Sequence, residues 1–291
     1  MFFATLLCNP AAPVLDPALP ENLRNAWGGG EIRWLAPGVA AEFALARLPE
    51  NQWQVWEDLQ KLDIDLVIVP ADGRRKKMLL ADMDSTMIQQ ECIDELAEEA
   101  GVGARVKEIT ARAMNGELDF DGALTERVGL LKGLPEEVIT QVLENRITLM
   151  PGAPQLLATM KADGAYAALV SGGFTAFTAH IAAVLGFDEN RANTLLVEEG
   201  KLTGAPGLPI LGREAKVEAL EQITKNLGIS EADVIAVGDG ANDLGMLKRA
   251  GFGVALHAKP SVSAQCSIRI NHGDLTALLY LQGYAQNAFK G

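Results

Sequence analysis

The chain has 291 residues, with 25 Lys and Arg against 38 Asp and Glu and a formal net charge of −13. At 48% hydrophobic and 22% charged, it is excluded from the disordered class, and its length implies roughly two domains with a sizeable core. Its average field repels a nucleic-acid backbone or an anionic membrane, so neither is expected as a partner, although a local basic pocket remains compatible with that average.

Cys8, Cys92 and Cys266 stand far apart, with no CxxC pair. They read as reduced thiols of a cytoplasmic protein. No apolar run approaches the roughly 18 residues that span a bilayer. Residues 1–13 lack the basic leader of a secretory signal.

Residues 1–7 are apolar and strand-like, and 20–27 suit a short helix. Segments 31–35 and 40–45 are strand candidates separated by the turn signal Pro37-Gly38. Residues 51–62 form an amphipathic helix pattern through Trp53, Val55, Trp56 and Leu59, and 64–69 a short buried strand closed by Pro70. The order β-α-β-β-α-β is that of a ferredoxin-like module. The basic stretch 72–77 reads as a solvated connector.

Beyond it, 78–83 is a continuous apolar run ending in acid, and 89–146 is a long helical stretch. Further apolar runs at 165–170, 233–237 and 253–256 alternate with helical segments. Apolar strands alternating with helices indicate an α/β fold with a parallel sheet covered on both faces. In such sheets ligands bind at the carboxyl ends of the strands.

Three of those ends carry chemistry-capable residues. The first reads Asp82-Met83-Asp84-Ser85-Thr86. Two carboxylates this close need a cation or a shared proton, although Asp and Ser also simply end strands. The second reads Val170-Ser171-Gly172-Gly173-Phe174, a hydroxyl with backbone N–H groups that suits an anion or forms a plain loop. The third reads Gly238-Asp239-Gly240-Ala241-Asn242-Asp243, which also fits an ordinary Gly-Asp turn. Lys216 falls on a helix pattern over 213–225, where a lysine is by default at the surface.

Singly, each of these has an ordinary structural explanation. Together, DxDxT, Ser-Gly-Gly, Lys and GDGxND in this order resemble the motif set of the haloacid dehalogenase superfamily of phosphotransferases. DMDSTMIQQE at 82–91, AMNG at 113–116, RVGLLKGLP at 127–135, LVSGGF at 169–174 and VGDGANDLGM at 237–246 are similar to the phosphoserine phosphatase family within it. The N-terminal layout is similar to the ACT-like domain that precedes the catalytic part in some bacterial members.

The resemblance implies a Rossmann-like core with a parallel sheet over 76–88 and 151–291. It implies a helical cap inserted at 89–150 and a small α+β ferredoxin/ACT-like domain over 1–75. It implies an Mg2+-dependent hydrolase of O-phospho-L-serine, the last step of serine biosynthesis, working through an aspartyl-phosphate. Asp82 matches the nucleophile and Asp84 the general acid and base. Asp82, the Asp84 carbonyl and Asp239 match the metal ligands, with Asp243 behind them. Ser171, Gly172, Lys216 and Asn242 match the phosphate-binding groups. Glu91, Met114, Phe120 and Arg127 match the cap residues that hold the serine moiety. Without the resemblance, Glu91 would sit on a solvated glutamate-rich face and Arg127 at the surface.

Cys92 has no nearby His in sequence to activate it, and His180, His257 and His272 lack metal-ligand spacing. Two other readings share these features. One is a phosphotransferase passing the group to an alcohol such as homoserine. The other is a regulator binding an amino acid through residues 1 to about 75. An exposed edge strand in that first part would let a second copy pair with it as a homodimer.

Overall fold

The computed structural model describes residues 1–114 and 117–291, Met114 by its backbone alone. The apolar runs at the start fold in the expected order: β1 (Phe2–Leu7), α1 (Ala18–Trp27), β2 (Arg33–Ala36), β3 (Ala40–Leu45), α2 (Gln52–Gln60) and β4 (Asp65–Pro70). The strands pair antiparallel in the order β2-β3-β1-β4, the ferredoxin-like arrangement. Leu6, Phe43, Leu45 and Leu66 form its core, against which Leu23, Trp27 and Trp56 of the two helices pack. Element ends differ from the sequence expectation by a residue or two, as fraying ends do.

The stretch 72–77 is the solvated connector expected only in part: Asp72, Gly73, Arg75 and Lys77 are exposed, but two of its cations are not. Arg74 and Lys76 are each only 8% exposed. Arg74 donates to Glu42 Oε2 at 2.6 Å and to the Leu281 carbonyl at 3.1 Å. Lys76 donates to the Ala232 carbonyl at 2.7 Å and stands over the Phe252 ring. Its burial pulls the ammonium pKa down, which nearby Asp233 partly offsets. The physical reason lies in β3: Glu42 is buried on the sheet, and a buried carboxylate without a counter-charge is strongly unfavourable. A local charge run reveals neither partner.

The remaining elements are β5 (Met78–Ala81), α3 (Cys92–Glu99), α4 (Gly103–Met114), α5 (Phe120–Gly129), α6 (Glu137–Asn145), α7 (Ala153–Ala162), β6 (Tyr166–Phe174) and α8 (Thr175–Leu185). They continue with β7 (Glu189–Asn193), β8 (Leu195–Glu198), β9 (Lys201–Pro206), α9 (Arg213–Leu227), β10 (Val234–Gly238) and α10 (Leu244–Arg249). The chain closes with β11 (Phe252–Leu256), α11 (Pro260–Ser263), β12 (Ile268–Ile270) and α12 (Ala277–Leu281). The larger sheet has strand order β12-β11-β10-β5-β6-β7, with parallel pairing of β10 to β11, β11 to β12 and β6 to β7. Its central strands are apolar on both faces because helices cover both.

The chain divides into two compact units. One comprises Met1–Leu79, Pro151–Ala167 and Thr224–Gly291, the other Leu80–Met150 and Ala168–Ile223, so the division passes through β5 and β6. In the first, fully buried Asp65 accepts N–H groups from Asn271, His272 and Gly273, each at 2.9 Å. In the second, the helical stretch expected at 89–146 forms α3 to α6 around Leu96, Val106, Ile109, Leu124, Val128 and Val142. The antiparallel hairpin β8–β9 was not legible in the sequence. Among the described residues no helix is long and apolar enough to cross a membrane.

Candidate active site

Strand β5 is buried at every residue and delivers Asp82 directly beyond its last position. The chain then folds back within one turn: the N–H groups of Thr86, Met87 and Ile88 converge on the Met83 carbonyl at 3.2, 2.8 and 3.1 Å. Asp82 is 5% exposed. Its Oδ1 accepts the Met83 N–H at 2.8 Å and pairs with Lys216 Nζ at 2.7 Å. Lys216 is itself 1% exposed, which removes the surface reading of this lysine. Helix α9 turns it inward to meet the carboxylate. A buried ion pair of this kind holds Asp82 ionised and aimed, and either partner left alone would be costly.

Asp84 accepts the Cys92 N–H on Oδ1 at 3.0 Å and the Ser171 hydroxyl on Oδ2 at 3.3 Å. Ser171 Oγ accepts the Gly173 N–H at 2.9 Å, so the hydroxyl is held from both sides. Burial pushes the Asp84 carboxyl above the usual carboxylate range, against the hydrogen bonds from Cys92 and Ser171 and the charge of Lys216. The native state therefore binds this proton more tightly than the unfolded chain. Between the unfolded pKa of about 3.9 and the raised native value, stability falls as pH rises. Asp84→Asn carries no such proton and should flatten that dependence. Urea midpoints from pH 4 to 7 in chelator check it, and parallel curves for the two proteins would refute it.

Glu91, Phe120 and Arg127, expected to hold the serine moiety, fall in the same unit. Glu91 is exposed and accepts the Ser85 hydroxyl at 2.7 Å. Arg127 is half-buried, and its Nε donates to the Ala123 carbonyl at 3.2 Å. Burial lowers its guanidinium pKa, while Asp94, Glu91 and Asp84 pull it back up. Phe120 packs against Gly172, where a β-carbon would come within 3.0 Å of the ring. The Met114 side chain, with Asn115 and Gly116, lies outside the described residues.

In the other unit β10 ends at Gly238, and the loop after it carries Asp239, Asn242 and Asp243. Asp243 is fully buried and accepts the Gly240 N–H at 2.9 Å, while its own N–H donates back to the Gly240 carbonyl at 3.1 Å. Asp239 and Asn242 are half-buried. Carboxylate oxygens of Asp239 and Asp243 lie within 4.8 Å of one another, an all-oxygen donor pair of the kind a hard cation takes.

Two participants were not recognised from sequence. Cys92 meets Asp84 through its backbone N–H, which no side-chain motif reports. Its thiol is buried beside Asp84, and burial followed by that carboxylate drives its pKa far up, so it is not a nucleophile. Asn193 is 2% exposed at the end of β7, where its side chain bonds to backbone at Gly172 and Leu211. It ends the polar run Asp188-Glu189-Asn190-Arg191-Ala192-Asn193, which gives no signal in the sequence.

The family model for haloacid dehalogenase-like hydrolases matches residues 79–248. The chain belongs to that family. The hydrolase is 46% identical over 224 residues to the phosphoserine phosphatase of Haemophilus influenzae, covering 77% of this chain and 69% of that one. It is 45% identical over 206 residues to the phosphoserine phosphatase of Methanocaldococcus jannaschii, covering 71% of this chain and 97% of that one. Its fold is similar to the crystal structure of a HAD family hydrolase from Salmonella enterica serovar Typhi. The TM-score is 0.86 at 32% identity, covering 96% of this chain and 98% of that one.

Proposed function

We propose that this hydrolase cleaves O-phospho-L-serine to L-serine and phosphate, the closing step of serine biosynthesis. One observation carries the reading: a buried, lysine-paired Asp82 next to Asp84, which is bonded to Ser171. Its relatives named as phosphoserine phosphatases support the substrate.

The Asp82 carboxylate attacks phosphorus in line, and the bond from phosphorus to the serine oxygen breaks. Asp84, whose burial favours the protonated form, gives its proton to the departing serine oxygen. It then takes a proton from the water that opens the aspartyl-phosphate, returning both residues to their starting state. Lys216, the Ser171 hydroxyl, the Gly172 N–H and Asn242 bind phosphoryl oxygens. Asp82, the Asp84 carbonyl and Asp239 would hold Mg2+, with Asp243 orienting the ligands. The Asp239 and Asp243 carboxylates offer only hard oxygen donors, which fits that ion. Bound Mg2+ offsets the charge that the phosphoryl oxygens carry.

In the serine half of the pocket, Arg127 pairs with the carboxylate and Glu91 accepts from the ammonium. Phe120 belongs to the apolar lid that keeps bulk water from the acyl phosphate. We read residues 89–150 as that cap, 76–88 with 151–291 as the core, and 1–75 as an ACT-like domain.

Phosphate release from phosphoserine with Mg2+, and its loss in excess chelator with recovery on adding Mg2+ back, tests the reading. No release from phosphoserine or any other small phosphomonoester would defeat it. Arg127→Ala should lower kcat/KM for phosphoserine by about 10²–10³-fold, the cost of truncating one partner of a desolvated charge pair. Hydrolysis of an aryl phosphate, which has no carboxylate to lose, should change by less than about threefold on the same basis. Equal losses on both substrates would show that Arg127 does not read the carboxylate.

A further inference from the structure

Strand β6 does not run evenly past β7. Val170 pairs with Arg191 and Phe174 with Asn193, so four steps on β6 face two on β7. Ser171-Gly172-Gly173, the phosphate loop, stands against Ala192 alone. Such bulges free backbone groups from the ladder and re-aim side chains. Asn193 stands opposite this one, 2% exposed, and its amide is used completely. Nδ2 donates to the Gly172 carbonyl at 2.9 Å and to the Leu211 carbonyl at 3.1 Å, while Oδ1 accepts the Leu211 N–H at 2.7 Å.

The peptide between Gly172 and Gly173 is a rigid plane with its carbonyl and N–H pointing in opposite directions. Asn193 grips the carbonyl side, and the N–H side reaches Ser171 Oγ, which in turn meets Asp84. A continuous chain of hydrogen bonds therefore runs from Asn193 to the proton-donating carboxyl. The other arm of the amide holds Leu211, two residues before α9 begins at Arg213, the helix that carries Lys216. Next to the two gripped residues lies a shared floor: β-carbons on Gly172 and Gly212 would fall 3.0 and 3.3 Å from the Phe120 ring.

We propose that Asn193 is a positioning residue that locks the phosphate loop to the start of α9, fixing Ser171 for phosphate and Asp84 and building the two-glycine seat for Phe120. The inference rests on the phosphatase reading above and assigns Asn193 no contact with substrate. Losing the amide frees the Gly172–Gly173 peptide to rotate, and displacement of about 1 Å at a reacting group costs on the order of 10²-fold.

The test compares wild type with Asn193→Ala in kcat, KM for phosphoserine, the inhibition constant of inorganic phosphate, and melting temperature. The proposal expects kcat/KM to fall about 10²-fold with a raised inhibition constant for phosphate in the folded variant. A purely structural role would lower the melting temperature and leave that constant unchanged for the folded fraction, which would overturn the proposal. A wild type without phosphatase activity would defeat the functional reading and this inference together. If Asn193→Ala does not fold, the double-mutant cycle of Phe120→Ala with Gly212→Ala decides. Coupling of the two losses supports the seat, and additive losses overturn it.

Discussion

Asp82→Asn should lower phosphoserine turnover by about 10⁴-fold or more, the scale seen when a covalent nucleophile is removed. An amide is not a competent nucleophile toward phosphorus. The amide oxygen can still accept the Met83 N–H that Asp82 Oδ1 accepts at 2.8 Å, so the turn after β5 should persist. The ion pair is lost, however, and Lys216 stays buried without it, so the melting temperature should also drop. Phosphate release per folded enzyme, with circular dichroism to establish the fold, separates the two effects. Turnover within tenfold of wild type would remove Asp82 from the chemistry.

The largest stability effect away from that carboxylate should come from Arg74→Ala. Glu42 is 1% exposed on β3, and Arg74, itself buried, supplies its inner counter-charge at 2.6 Å. Arg33 also reaches Glu42, but its side chain is 56% exposed and shares its charge with water. Removing one partner of a buried pair costs about 3–5 kcal/mol, and the remaining arginine should hold the loss near the lower end. The same change removes the bond to the Leu281 carbonyl and the stacking of Arg74 over Phe3. Urea denaturation should show a lower midpoint, while turnover per folded molecule stays unchanged because Arg74 touches none of the reacting groups. A midpoint equal to wild type would mean that Arg33 and water satisfy Glu42 without help.

Metal removal and the Arg127 and Asp84 variants address different steps. Chelation reports on charge compensation at the phosphoryl group, Arg127→Ala on reading of the substrate carboxylate, and Asp84→Asn on where the proton resides. Each has its own readout, so one negative result does not decide the others.

Much of this protein is legible residue by residue. The ferredoxin-like order follows from short apolar runs spaced by Pro37-Gly38 and Pro70, because strand and helix periodicities are local properties. The motif residues also stand out, since Asp82 and Asp239 directly follow a run apolar enough to be a buried strand, Asp84 and Asp243 lie a few positions beyond, and Ser171 lies within one. Other features have no local signature. Lys216 and Arg74 read as surface cations until a buried carboxylate, distant in sequence, gives each a reason to be inside. The raised carboxyl of Asp84 depends on its enclosure, and the grip of Asn193 depends on a bulge that exists only once β6 meets β7. Sequence by itself determined the strand and helix runs and which motif side chains fall at their ends, because periodicity and residue type act over a few positions. Tertiary structure alone decided which charges are buried and which backbone groups receive them, because desolvation and hydrogen-bond partners are set by residues tens to hundreds of positions away.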